Sequence, residues 1–102
     1  MPVKIEDIEI PNSLIKHAFI VVGSGHESLV VKGEASSVED QARLTALSRF
    51  KPGDFVIAEV KDAGNVNDYR GKHRIIQWNL GEKGPDNRMI YKLNLSLETK
   101  LT

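Results

Sequence analysis

The chain of 102 residues contains no cysteine, which removes disulfide bonds, thiolate metal sites and cysteine nucleophiles from its possible chemistry. Long apolar runs are also absent: the longest, residues 18–22, is far too short to cross a membrane. The N-terminus has no basic segment followed by an apolar stretch, so no signal peptide is predicted. These absences favour a cytoplasmic protein that has no membrane partner.

Net charge is lacking as well, because 14 basic side chains balance 14 acidic ones. A protein that grips duplex DNA mainly through phosphates is usually basic overall, so this balance argues against that mode. The distribution is nevertheless uneven. Residues 63–102 carry seven basic and four acidic side chains, whereas residues 1–35 carry three and five. A local basic patch is compatible with binding single strands, where base stacking adds to the phosphate contacts.

No catalytic or metal-binding pattern stands out in the sequence. The chain has three histidines: His17, His26 and His73. They belong to different predicted elements and lack both ligand spacing and accompanying carboxylates. Residues 23–25 lack the further glycine and lysine of a phosphate-binding loop and are interpreted as a turn. We therefore predict a protein that is not an enzyme, with no catalytic residues, no metal and no cofactor.

What the sequence does contain is a succession of short alternating segments that are typical of strands. Residues 3–10 fit one strand if a bulge brings its four apolar side chains to one face. Residues 16–22 and 28–34 flank a glycine-rich turn and are predicted to form a hairpin. Residues 88–102 alternate regularly and predict a half-buried strand.

Between these segments the sequence predicts one helix and a second hairpin. Residues 36–50 have helical spacing, and Ser37 is well placed to cap the first turn. Residues 55–61 and 73–80 are predicted strands, joined by a polar tip at 62–71. The order is therefore strand, hairpin, helix, hairpin and one extra strand.

The second hairpin carries a resemblance to a known fold. The run GDFVIAEVK at 53–61, a polar tip, YRGK at 69–72 and an apolar strand resemble the last hairpin of many nucleic-acid-binding OB-fold domains. The order of three strands, a helix and two strands is also that of the OB fold. The resemblance implies a single mainly β domain: a five-stranded OB-like barrel over residues 3–80, with one helix between strands three and four. Residues 88–102 would add an extra C-terminal strand.

The resemblance also implies binding of single-stranded DNA or RNA in an OB-type groove, without catalysis. In OB domains the last hairpin tip and the exposed face of strands two and three flank that groove. Five of the six positions at 69–74 are basic or aromatic, and Arg and Tyr side chains suit phosphates and unpaired bases. The predicted nucleic-acid-binding residues are Phe19, Lys32, Tyr69, Arg70, Lys72, His73 and Arg74.

Several of these residues have a plainer interpretation. Loop tips are polar in any case, so the basic tip is also consistent with simple solvation. Alternation leaves open which face of residues 17–22 is exposed, and a core role for Phe19 is the commoner outcome. Strict alternation places Trp78 on the same face as Lys72 and Arg74. Trp78 is interpreted as a core residue, and its indole N–H then needs a partner.

The alternative function is that of a structural or adaptor protein. Residues 88–102 would offer an exposed strand edge to a protein partner or to a second copy of the chain. Zero net charge favours this alternative. A convergence of Lys32, Arg70, Lys72 and Arg74 on one groove would favour nucleic acid, and scattered positions would favour the adaptor.

Overall fold

The computed structural model describes residues 3–63, 66–83 and 86–101. Its strands are β1 (Val3–Ile5), β2 (Ile8–Ile10), β3 (Ile15–Gly23), β4 (His26–Ala35), β5 (Phe55–Val60), β6 (Tyr69–Lys83) and β7 (Met89–Lys100). The helix α1 spans Val38–Thr45, and short 3-10 segments lie at Asn12–Leu14 and Ala46–Arg49. All strands belong to one antiparallel sheet in the order β2-β1-β5-β6-β7-β4-β3.

The sheet is strongly curled around one core but does not close into a barrel. In the part of the chain that the structure describes, β2 and β3 are edge strands, each paired on one side only. The expected mainly β architecture with one α-helix is confirmed, whereas the expected count of five barrel strands is wrong. No helix among the described residues is long and apolar enough to span a bilayer.

Residues 3–10 form a tight hairpin, β1–β2, where one bulged strand was expected. Ile5 pairs with Ile8, and Glu6 adopts a φ of 55°. The turn is fixed to β5, because the Glu6 N–H donates to the Ile57 carbonyl while the Glu6 carboxylate accepts from the Ile57 N–H, both at 2.9 Å. This two-residue turn brings all four apolar side chains into the core. The sequence predicted the same burial, but through a bulge in a single strand.

The hairpin β3–β4 and the helix follow the sequence closely. Ser24 and Gly25 supply the positive φ values of the β3–β4 turn. The Ser37 hydroxyl accepts a hydrogen bond from the Asp40 N–H at 3.1 Å, which is the predicted N-cap. The helix turns into the 3-10 segment after Thr45 and buries two leucines, Leu44 and Leu47, against the sheet.

The C-terminal strand lies in the middle of the sheet and not outside it. β6 is 15 residues long, and β5 pairs only with its first part, from Tyr69 to Arg74. β7 pairs with β6 on one side and, over Met89–Ser96, with β4 on the other. The free edge that the adaptor alternative assigned to residues 88–102 is therefore occupied over most of its length.

A bulge in β6 turns the partly buried Trp78 toward the core. The β6–β7 register shifts between Ile75 and Gln77, so the exposed Ile76 is an extra residue and the alternation reverses beyond it. Trp78 then packs against the core, and its indole N–H donates to the Leu47 carbonyl at 2.9 Å. The core interpretation is confirmed, although strict alternation from Arg74 gave the wrong face.

Candidate nucleic-acid interface

Strand alternation divides the basic and aromatic cluster that the sequence places at a hairpin tip. β6 begins at Tyr69, so the whole cluster lies within a strand. Tyr69 and His73 face the core and are 8% and 0% exposed. Arg70, Lys72 and Arg74 face outward and are exposed. The expectation that Tyr69 and His73 are exposed is wrong, because every second residue of this strand points into the barrel-like interior.

Tyr69 and His73 form a buried hydrogen-bonded pair. His73 Nδ1 lies 3.0 Å from the Gly71 carbonyl oxygen, which only accepts, so Nδ1 carries the proton. His73 Nε2 then accepts from the Tyr69 hydroxyl at 2.8 Å. Burial lowers the pKa of His73, against an opposing effect of the bond to Gly71, and burial with the charge of Glu27 raises the pKa of Tyr69 to about 12. Both side chains are neutral and structural at pH 7.

Three cross-strand rows make up the central part of the outer face, meaning the side of the sheet opposite the core. The first row is His17, Lys32, Lys92 and Asn79. The second is Phe19, Val30, Asn94 and Gln77. The third is Val21, Ser28, Ser96, Arg74 and Phe55. The three rows hold basic, amide, hydroxyl, aromatic and aliphatic side chains and no carboxylate, whereas Glu34, Glu59 and Glu98 lie on the same face outside these rows.

A lysine ammonium group lies over the ring of each of two exposed phenylalanines on this face. Phe19 is 37% exposed, and Lys32 Nζ lies 5.9 Å from its ring centroid. Phe55 is 53% exposed, and Lys72 Nζ lies 4.7 Å from its ring centroid. The core role that the sequence favoured for Phe19 is wrong. Sequence reasoning missed Phe55. Strand alternation with the apolar Val56, Ala58 and Val60 already predicted that Phe55 lies on the face opposite to theirs.

Lys32 and Lys92 lie directly opposite each other on β4 and β7. Among the side chains that the structure describes, no carboxylate lies within 4 Å of either ammonium. Like charges at directly opposed positions destabilise a sheet, so this arrangement has an electrostatic cost. Sequence reasoning did not connect Lys92 with the site, because its strand was expected outside the barrel.

The lysine pair borders a cavity of about 420 Å³ whose lining includes one carboxylate, Glu34. Lys16 lies 3.3 Å and Arg88 2.8 Å from the Glu34 oxygens. Burial would raise the pKa of Glu34, but the hydrogen bonds and charges of these two partners lower it below the ordinary value. Glu34 is therefore ionised and already paired.

The outward basic residues share one face but do not converge on one groove. Arg74 is opposite Ser96 on β7, four residues and roughly 13 Å from Lys92 along that strand. Arg74 also forms an ion pair with Glu98 at 3.5 Å. Arg70 is opposite Glu59, beside a shallow depression that mixes both signs of charge. Lys32 and the β6 cations thus form two separate groups on the outer face.

The fold and this face define the class of the protein as a mainly β domain built on one curled antiparallel sheet. No family model, curated protein or solved structure matches the chain. Within the described ranges, no three His, Asp or Glu side chains are arranged to hold a metal ion.

Proposed function

We propose that this protein binds single-stranded nucleic acid on its outer face, without catalysis. The observation that carries the proposal is the pair of exposed phenylalanine–lysine contacts, linked by the cross-strand rows that hold no carboxylate. Unpaired bases stack on exposed aromatic rings, and neighbouring ammonium groups bind the phosphates. The resemblance of the β5–β6 hairpin to OB domains supports the same class of ligand.

The layout of the face favours a single strand over a duplex. Phe19 on β3 and Phe55 on β5 are four strand spacings apart, a path of roughly 19 Å along the curled sheet. Gln77, which lies in the same cross-strand row as Phe19, offers an amide that suits the edge of an unpaired base. The three rows hold few cations, which limits the number of phosphate contacts, so we expect stacking to supply more of the affinity and the salt dependence to be shallow.

Removing the two rings is expected to weaken binding strongly. Each of the substitutions Phe19→Ala and Phe55→Ala should reduce affinity for a labelled single-stranded oligonucleotide by roughly fivefold to 150-fold, the effect of losing one stacked base. Fluorescence polarisation across a salt series measures this. Val38→Ala, at an exposed apolar position on α1, is the matched control. Absence of binding below millimolar concentration at low salt, or unchanged affinity in the double variant, would contradict the proposal.

The adaptor alternative keeps support from a different edge, that of β3. This nine-residue strand has no proline and no carboxylate, and it exposes Val21 and Val22 to 48% and 71%. Such an edge is a template for strand addition. A second copy of this chain fits it, since antiparallel pairing with Phe19 opposite Phe19 or Val21 keeps outer residues on one face. Lys16, the one fully charged residue of β3, then meets no like charge.

Light scattering tests this second candidate. The protein should form a dimer of the 11.4 kDa chain, and Val21→Lys should return it to a monomer because the new charges crowd the paired edge. Val38→Lys, which adds the same charge on the helix, should leave the dimer intact. A parent protein that stays monomeric at high concentration excludes the β3 interface.

A further inference from the structure

Positive charge that no described carboxylate balances collects at one end of the outer face. Lys32 and Lys92 are directly opposed, and His17 and Asn79 extend the same row on either side. All four side chains belong to residues that line the cavity of about 420 Å³. Since Glu34 is occupied by Lys16 and Arg88, two ammonium groups remain available to a ligand there.

An anion placed between the two lysines would turn their repulsion into attraction. Without a ligand, repulsion between the opposed ammonium groups destabilises the pairing of β4 with β7. The fold gains nothing from this arrangement that would offset the cost. The cavity is also roomy enough: one water occupies roughly 30 Å³, and a phosphate group needs only a few times that volume.

The charge of the site distinguishes between kinds of phosphate. A phosphate monoester carries about −1.5 to −2 at neutral pH, whereas a diester of the nucleic-acid backbone carries a single negative charge. One monoester therefore neutralises both Lys32 and Lys92, whereas one diester neutralises only one of them. The Asn79 side-chain amide on the neighbouring strand can add a hydrogen bond to a phosphate oxygen.

We infer that this cavity binds a phosphate monoester, held between Lys32 and Lys92 with Asn79 as a hydrogen-bond donor. One form of this inference rests on the proposed function. In that form the monoester is the terminal phosphate of a single strand, and the adjacent base stacks on Phe19, whose ring lies next to the Lys32 ammonium. The same chemistry is carried by a free nucleoside monophosphate.

Two measurements separate these sources. Amide NMR spectra are recorded during titration with inorganic phosphate and with adenosine monophosphate, and the backbone signals of Lys32, Asn79 and Lys92 are expected to shift. Polarisation then compares one single-stranded sequence with and without a terminal phosphate at either end. The phosphorylated form should bind about fivefold more tightly at low salt, the weight of an exposed charge pair.

The lysines themselves are tested by Lys32→Gln and Lys92→Gln, which keep most of the side-chain length and remove the charge. Each should abolish the phosphate-induced shifts and the preference for the phosphorylated strand. Lys51→Gln, at an exposed position before β5, should retain both. Both cavity variants should fold, with melting temperatures at or above that of the parent at low salt, because the repulsion is relieved.

The outcomes distinguish this inference from the proposed function. Equal affinity for both strands, with no shifts at the cavity, overturns the phosphate site while leaving oligonucleotide binding in place. Binding of phosphate and adenosine monophosphate at the cavity without any oligonucleotide binding supports the site, identifies a small phosphorylated molecule as its ligand, and contradicts the proposed function.

Discussion

Replacing Gly33 with alanine is expected to destabilise this protein by about 3 kcal/mol or more, a large part of the 5–15 kcal/mol that stabilises a typical domain. Gly33 lies on β4 between β3 and β7 and faces the core side. A Cβ there would overlap the Leu14 carbonyl oxygen and would lie 2.9 Å from the Tyr91 hydroxyl oxygen. Backbone, not a flexible side-chain end, blocks the space.

The same substitution would also disrupt a buried hydrogen bond. The Tyr91 hydroxyl donates to the Leu14 carbonyl at 3.0 Å, and Tyr91 is only 1% exposed. Moving Leu14 aside to admit a methyl group would leave that hydroxyl without its acceptor, which costs roughly 1–3 kcal/mol in addition to the steric strain. The loss should therefore exceed that of an ordinary surface substitution by severalfold.

Urea unfolding, followed by the fluorescence of Trp78, measures this effect. Gly23→Ala is the matched control, because a Cβ at Gly23 on β3 meets no atom within 4 Å. The control should stay within about 0.5 kcal/mol of the parent. A Gly33→Ala variant as stable as the Gly23→Ala variant would refute the close packing of β4 on Leu14.

Acidification is expected to destabilise the protein between about pH 6.5 and the lower pKa of folded His73. The unfolded chain has an ordinary histidine pKa near 6.5, whereas burial lowers the pKa of His73 in the folded state. Below pH 6.5 the unfolded state therefore binds more protons. The stability present at neutral pH is lost as the pH falls, with a slope of up to about 1.4 kcal/mol per pH unit for one proton.

The histidine responsible can be identified by substitution. His73→Gln should flatten the dependence of unfolding free energy on pH between 7.5 and 5.5, and it should lower stability at pH 7.5 because the bond with the Tyr69 hydroxyl is perturbed. His26→Gln, at an exposed position on β4, should retain the full slope. A slope that survives in His73→Gln would assign the acid sensitivity to other groups.

Local signals in the sequence predicted the individual elements well. Ser37 caps the helix as its residue type and spacing indicated, and the glycine-rich turn joins β3 to β4. These features depend on bonds between residues close in the chain. The N-terminal hairpin was not predicted, because its turn at Glu6 is stabilised by hydrogen bonds to β5, about 50 residues away in the chain.

The candidate site was harder to predict than the elements. Alternation within 69–74 already separates Tyr69 and His73 from Arg70, Lys72 and Arg74, but only if the strand is known to begin at Tyr69. The outward position of Phe19 depends on which face of β3 meets the core. Lys92 joins Lys32 only because β7 lies beside β4, and no pattern within either segment carries that information.

By itself, the sequence determined that this is a mainly β protein with one capped helix, without cysteine chemistry, because composition and periodicity depend only on the chain. The tertiary structure alone decided that β7 enters the middle of the sheet, that a bulge at Ile76 turns Trp78 inward, and that Lys32 meets Lys92. Pairing between distant strands sets these outcomes through register, and a shift of one residue exchanges the two faces of a strand.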